Sequence, residues 1–164
     1  MFTWLPPRQI HPVALSDRAD AVTHRRIISA GANPELAHRL TLFRHRLSQL
    51  GHQHATVQLY RAYATQQKLY AQGRTTPGQI VTDAQGWQSA HCAKYNGKPD
   101  AQAFEVAPII DNEIYWQMDA RTSRFWSDAR DTGAMLQLVW GATINDPPRD
   151  FGHFQLPTFR ATKN

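Results

Sequence analysis

The chain has 164 residues, 41% of them hydrophobic, and carries five Trp, seven Phe and five Tyr, enough length and apolar content for one globular domain with a buried core and an argument against disorder. Cys92 is the only cysteine, which excludes a disulfide framework and fits folding in a reducing compartment. The net charge of +5 favours an anionic partner, yet among the basic residues only Arg25 and Arg26 are adjacent and no aromatic–basic RNA motif occurs, so nucleic acid is not an expected partner.

Residues 1–8 lack the basic start and continuous apolar run of a signal peptide, and no stretch approaches the roughly 20 apolar residues that span a bilayer. The expectation is a soluble monomer without membrane insertion, cytoplasmic in the producing cell until something else releases it. Residues 1–32 are rich in Pro, His and Arg with weak periodicity and read as an irregular arm with room for one short helix; residues 33–164 read as a single domain.

Within that domain Asn33 can cap a helix, Pro34 suits its first position and Glu35 its positive end. Leu36, Leu40, Phe43, Leu47 and Leu50 then recur at helical spacing up to Gly51, leaving His38 and His45 off the apolar stripe and solvated. Thr56 to Tyr60 reads as a strand, 65–72 as a short helix stopped by Gly73, and 74–78 as a turn-rich loop. Ala103 to Ile110, Asp111-Asn112 and Ile114 to Trp116 read as a hairpin. Residues 124–138 suggest a second long helix, weakened by Gly133, and short strands should hold Val139-Trp140 and His153 to Leu156. The order implies an α+β domain with a small antiparallel sheet flanked by helices.

Two histidines sit in settings that suggest a metal. His91 follows Gln88-Ser89-Ala90, and His153 lies in Asp150-Phe151-Gly152-His153-Phe154-Gln155. A catalytic zinc takes three ligands from His, Asp or Glu plus an open position, and a nearby carboxylate such as Asp150 can take a proton during attack on an amide. Spacing alone does not separate this from a satisfied histidine, since D-x-x-H is common. His52-Gln53-His54 places two imidazoles on one strand face but has no third partner and reads as an exposed loop edge. Cys92 beside His91 is a soft ligand or nucleophile on paper; strand alternation points it away. Trp116, Trp126 and Trp140 read as core, with Trp140 also a candidate to line a cleft.

A longer pattern adds to this. The run Tyr60-Arg61-Ala62-Tyr63 through Leu69-Tyr70-Ala71-Gln72-Gly73-Arg74-Thr75, Pro77-Gly78 and Ile80-Val81-Thr82 resembles the phage-type L-alanyl-D-glutamate and D-alanyl-D-alanine peptidases, the VanY-like members of the M15 peptidase family. The resemblance continues through Ser89-Ala90-His91, Ala103-Phe104-Glu105-Val106-Ala107-Pro108, Leu138-Val139-Trp140-Gly141 and Asp150 to Gln155, covering roughly residues 34–157. It implies the Hedgehog/D,D-peptidase-like zinc fold and an endolysin-type hydrolase: a zinc metallopeptidase that cuts peptidoglycan stem peptides during bacteriophage lysis of the cell wall. It also implies Zn²⁺ held by His91, Glu105 and His153, Asp150 as catalytic carboxylate, and Arg61 polarising the scissile carbonyl or holding a substrate carboxylate. Ser89 and Trp140 would be substrate-contacting.

Three departures accompany it. His91 and Glu105 stand 14 positions apart, a longer gap than the family's, with the insertion from Cys92 to about Lys98 and a turn at Asn96-Gly97-Lys98-Pro99. Glu105 stands where the family has Asp; Asp100, inside the insertion, is a rival ligand, although Ala103, Val106 and Pro108 match the pattern around Glu105. Gln137-Leu138-Val139-Trp140 lacks an acidic residue the family often carries before this Trp; Asp150, close in sequence to the ligand position His153, is read as the base instead. The alternative from another class is a non-catalytic wall-binding or structural module that keeps the fold.

Overall fold

The computed structural model describes residues 18–144 and 150–161, so the portion of the anticipated arm at 1–17 lies outside the described residues. The remainder of that arm contains a helix, α1 (Arg18–Ser29). Its Ile27 joins the core, and Ala32 beyond it bridges to Ala101. Among its described side chains, 22–29, Ile27 alone is buried.

Helix α2 (Pro34–Gln49) begins where the capping signal places it: the Asn33 side chain accepts from the amides of Glu35 and Leu36 at 2.9 and 3.4 Å, satisfying donors the first turn leaves orphaned. Leu36, Leu40, Phe43 and Leu47 are fully buried. β1 (His54–Gln58) and α3 (Tyr63–Ala71) follow. The insertion after His91 folds into a two-stranded ribbon, β2 (Lys94–Tyr95) and β3 (Lys98–Pro99), turned at Asn96 and Gly97, both at positive φ. This is the hairpin turn chemistry that Asn-Gly supplies. β4 (Ala103–Ile110) and β5 (Glu113–Ile114) form the expected second hairpin through Asp111 and Asn112 at φ 54 and 65. α4 (Ser123–Met135), β6 (Val139–Trp140) and β7 (His153–Gln155) complete the chain. Gly133, the apparent weakness of α4, is where the helix lies against the Phe154 ring.

The main sheet is antiparallel, in the order β1-β4-β7-β6 with β5 added to β4. The expected α+β class with a small antiparallel sheet is what the chain forms. β4 and β7 register Phe104 opposite Phe154 and Glu105 opposite His153. Because strand side chains alternate, that register sends the Phe pair to one face and the Glu–His pair to the other. On the helix face Phe104 stacks on Phe154 at 5.5 Å, Phe43 of α2 meets both rings, and Phe125 and Trp126 of α4 join the same cluster. The other face carries the polar pair. Removing the Phe104 ring should leave a void that α2 and β7 cannot close. Phe104→Ala is expected to lower unfolding free energy by about 3–5 kcal/mol, read from the midpoint shift of a urea titration at unchanged slope.

Candidate metal centre

Glu105 and His153 meet because they are cross-strand partners; His91 reaches them from a 3-10 turn, Ala90–Cys92, outside the sheet. That turn is fastened to the end of β1 by two bonds. The Arg61 amide donates to the His91 carbonyl at 2.9 Å, and the His91 ring places Nδ1 2.8 Å from the Leu59 carbonyl. His91 Nε2, Glu105 Oε1 and His153 Nδ1 then form a triangle with sides of 3.0, 3.0 and 3.3 Å. His91 is buried, and the Glu105 and His153 side chains are only 13% and 12% exposed.

The chemistry of the donors decides what this triangle is. A carbonyl oxygen only accepts, so His91 carries its hydrogen on Nδ1 and presents a lone pair at Nε2. His153 Nε2 lies 3.0 Å from the Gln155 amide oxygen, so its hydrogen sits there and Nδ1 also presents a lone pair. Glu105 Oε1 is a third. Three lone pairs aimed at one point repel unless a cation sits among them. Ligand atoms about 2.0–2.1 Å from a shared tetrahedral ion stand roughly 3.3 Å apart, so outward shifts of a few tenths of an ångström suffice to seat one. The residues fit a divalent cation, and two imidazoles with one carboxylate suit zinc.

Titration behaviour follows from the same crowding. Burial pushes the Glu105 carboxyl up, but the two imidazole rings beside it, His153 more than His91, outweigh that and hold Glu105 at about 2. Burial lowers His91 below the ordinary histidine value, despite Glu105. Burial acts the same way on His153, yet the Glu105 carboxylate, helped by Gln155 and Asp150, lifts it above that value. Without a metal, one proton relieves one lone-pair contact, and His153 is where it goes.

Asp150 stands at the rim. Its carboxylate accepts from the His153 amide, and it is raised above the ordinary range by lost hydration and by the Glu105 charge. The residue as a whole is exposed, so the carboxyl is crowded on its inner side and open on the outer. Gly141 makes that placement possible. A Cβ there would lie 2.5 Å from the Asp150 carbonyl oxygen and 2.7 Å from His153 Cβ, contacts no side chain tolerates.

Arg61 also belongs to this neighbourhood. Its charge acts on His91. Its guanidinium donates to Gln66 Oε1 at 2.7 Å and lies 3.5 Å from Gln58 Oε1; among the described residues no carboxylate neutralises it. Buried Gln66 is itself held by Thr82 and the Ala84 carbonyl. Two neutral amides thus position Arg61 while leaving its charge unspent.

The other sequence candidates fall as follows. Asp100 is outside the centre: both its oxygens accept from the Asn33 amide, at 3.1 and 3.2 Å, at the start of α2. Ser89 is buried and bonds to the Cys92 thiol, whose pKa is raised by burial. Cys92 lies on the 3-10 turn, so strand alternation does not describe it. Trp140 is half-buried and donates to the Phe151 carbonyl at 2.9 Å, bracing the segment that carries Asp150 and His153. Trp126 is core as expected, but Trp116 is 54% exposed, because the β4–β5 hairpin carries it past the sheet. A Cβ on Gly152 would touch both its ring and Glu105 Oε2 at 3.0 Å, so Trp116 stands at the rim of the centre. His52 is half-buried and 2.7 Å from Asp128 rather than at an exposed edge. Sequence reading missed Leu59, Gln66 and Gln155. Only Gln155 left a trace, two residues beyond His153 and so on the same strand face.

The sequence matches no protein-family model, so the centre stands on its geometry. The full chain is expected to bind one zinc per molecule by elemental analysis after dialysis, Glu105→Ala to lose it and Asp100→Ala to keep it. Gln155→Ala should weaken zinc binding about 10–100-fold, as removal of an outer hydrogen-bond partner does. Protons compete for the His153 lone pair, and its raised pKa extends that competition above the ordinary value of 6.5. Zinc affinity, measured against a chromophoric chelator, should therefore still climb as pH rises above 6.5, the ordinary histidine value. A flat profile there would remove His153 from the ligand set.

Proposed function

We propose that the protein is a zinc-dependent peptidase of the VanY-like M15 type that hydrolyses peptidoglycan stem peptides, as an endolysin-type L-alanyl-D-glutamate endopeptidase or D,D-carboxypeptidase. The observation that carries the reading is the meeting of His91, Glu105 and His153, far apart in sequence, with their lone pairs on one point. These are the three residues to which the resemblance gives the ligand role.

His91, Glu105 and His153 would hold the ion, which when bound supplies a Lewis acid for a peptide carbonyl and makes a water acidic near neutral pH. Asp150 is placed to act as base and then acid. Its raised pKa brings it closer to the working range of a proton carrier, and its exposed side lets it reach both water and leaving amine. Arg61, charged and without a carboxylate partner among the described residues, would hold a stem-peptide carboxylate or the developing oxyanion. Among the described residues no helix is long and apolar enough to cross a membrane, in keeping with action on the wall polymer rather than within the bilayer.

The test is mass spectrometry of muropeptides released from purified sacculi, with and without a chelator. Release of cleaved stem peptides should stop when zinc is removed and return when it is restored. Asp150→Asn should keep its zinc and lose about 10²–10⁴-fold in rate. Intact stem peptides after incubation with zinc-loaded protein, together with retention of the protein on sacculi, would favour the wall-binding module instead.

A further inference from the structure

A second concave site lies on the helix side of β1. A cleft of about 440 Å³ opens between α1 and the edge of β1 that, among the described residues, is not paired. Its walls include Thr23 and Arg26 of α1, Arg44 of α2, and Thr56, Gln58 and Tyr60 of the β1 segment, and among the described residues no carboxylate lines it. A register shift between Thr56 and Gln58 turns the strand here. Thr56, opposite core residue Val106, stays on the helix side, and Gln58, opposite Glu105, goes to the side of the metal centre.

The two arginines are not explained by the fold alone. Arg26, in the last turn of α1, complements the helix dipole and is exposed. Arg44 is half-buried and, among the described residues, makes no ion pair or hydrogen bond. Burial lowers its pKa, and its charge pushes His54 down in turn. A guanidinium stripped of water without an acceptor is costly, and its planar fork of donors matches an oxyanion. The Thr56 hydroxyl is likewise buried without a partner.

We propose that this cleft is a binding site for an oxyanion group, carboxylate or phosphate, gripped by Arg44 and supported by Arg26 and Thr23. A ligand of this class lies within reach of a protein of net charge +5 and is common to anionic polymers and acidic peptides. The site does not rest on the zinc reading, although its wall shares Gln58 and Leu59 with the neighbourhood of the metal centre.

The experiment is a pair of titrations of the ¹⁵N-labelled full chain at constant ionic strength, one with sodium phosphate and one with sodium acetate, followed by amide and arginine side-chain shifts. Saturable shifts at Thr56 to Tyr60 and at the Arg44 side chain are expected in at least one titration; the better-binding anion identifies the source as phosphate or carboxylate. Arg44→Gln should weaken binding at least tenfold and Arg26→Gln a few-fold. Arg26 is exposed, so its variant reads the site without threatening the fold. Shifts at His91 and His153 report separately any anion at the metal centre. Shifts that rise linearly without saturation in both titrations, or affinity unchanged in Arg44→Gln and Arg26→Gln alike, would overturn the proposal.

Discussion

The antiparallel register between β4 and β7 is the constraint on which the rest depends. Phe104 opposite Phe154 fills the helix face, and Glu105 opposite His153 builds half of the polar centre on the other. A slip of one residue along β7 would turn His153 into the apolar core and the Phe154 ring out beside Glu105 and His91. Core packing therefore enforces the geometry of the centre. The stacked rings are worth several kcal/mol, and only one pairing of the two strands realises them. The centre needs no private source of rigidity, because it is the reverse side of two fully buried, stacked rings.

His91 is the member that the sheet does not supply. It is delivered by a turn tied to the end of β1 through the Leu59 carbonyl and the Arg61 amide, so the strand that pairs with β4 also anchors the third member of the triangle. The same two links make Arg61 a neighbour of His91. The long insertion between His91 and Glu105 is absorbed by the β2–β3 ribbon, whose exposed residues leave the centre undisturbed. Asp100, acidic and inside that insertion, is diverted to Asn33 at the start of α2. A lengthened loop thus costs little in closure entropy and shifts no ligand.

Much of this was legible from the residues. Asn33-Pro34-Glu35 announces α2 and Asp111-Asn112 announces the β4–β5 turn, because each is a local signal with a local cause; what separates Glu105 from Asp100 is the resemblance of its flanks to a family pattern. What was not legible depends on distant partners. Among the described side chains of α1 only Ile27 is buried, so the segment reads as an arm until that residue is seen in the core. The roles of Leu59 and Gln66 rest on a backbone carbonyl and a neutral amide, groups that carry no signature. Trp116 looks like core by composition and stands exposed because of where a hairpin ends. Cys92 was misplaced for a simpler reason: its segment winds into a 3-10 turn, where strand alternation has no meaning.

The central claim is that Nε2 of His91, Nδ1 of His153 and a Glu105 oxygen together grip one divalent ion. Diffraction from crystals grown with zinc, recorded on both sides of the zinc absorption edge, tests it most directly. The account requires a single strong anomalous peak within about 2.0–2.2 Å of those three atoms, with Asp150 nearby and unligated. A peak elsewhere, on His52 and His54 or on Cys92, or no peak at the triangle in zinc-saturated crystals, would contradict it.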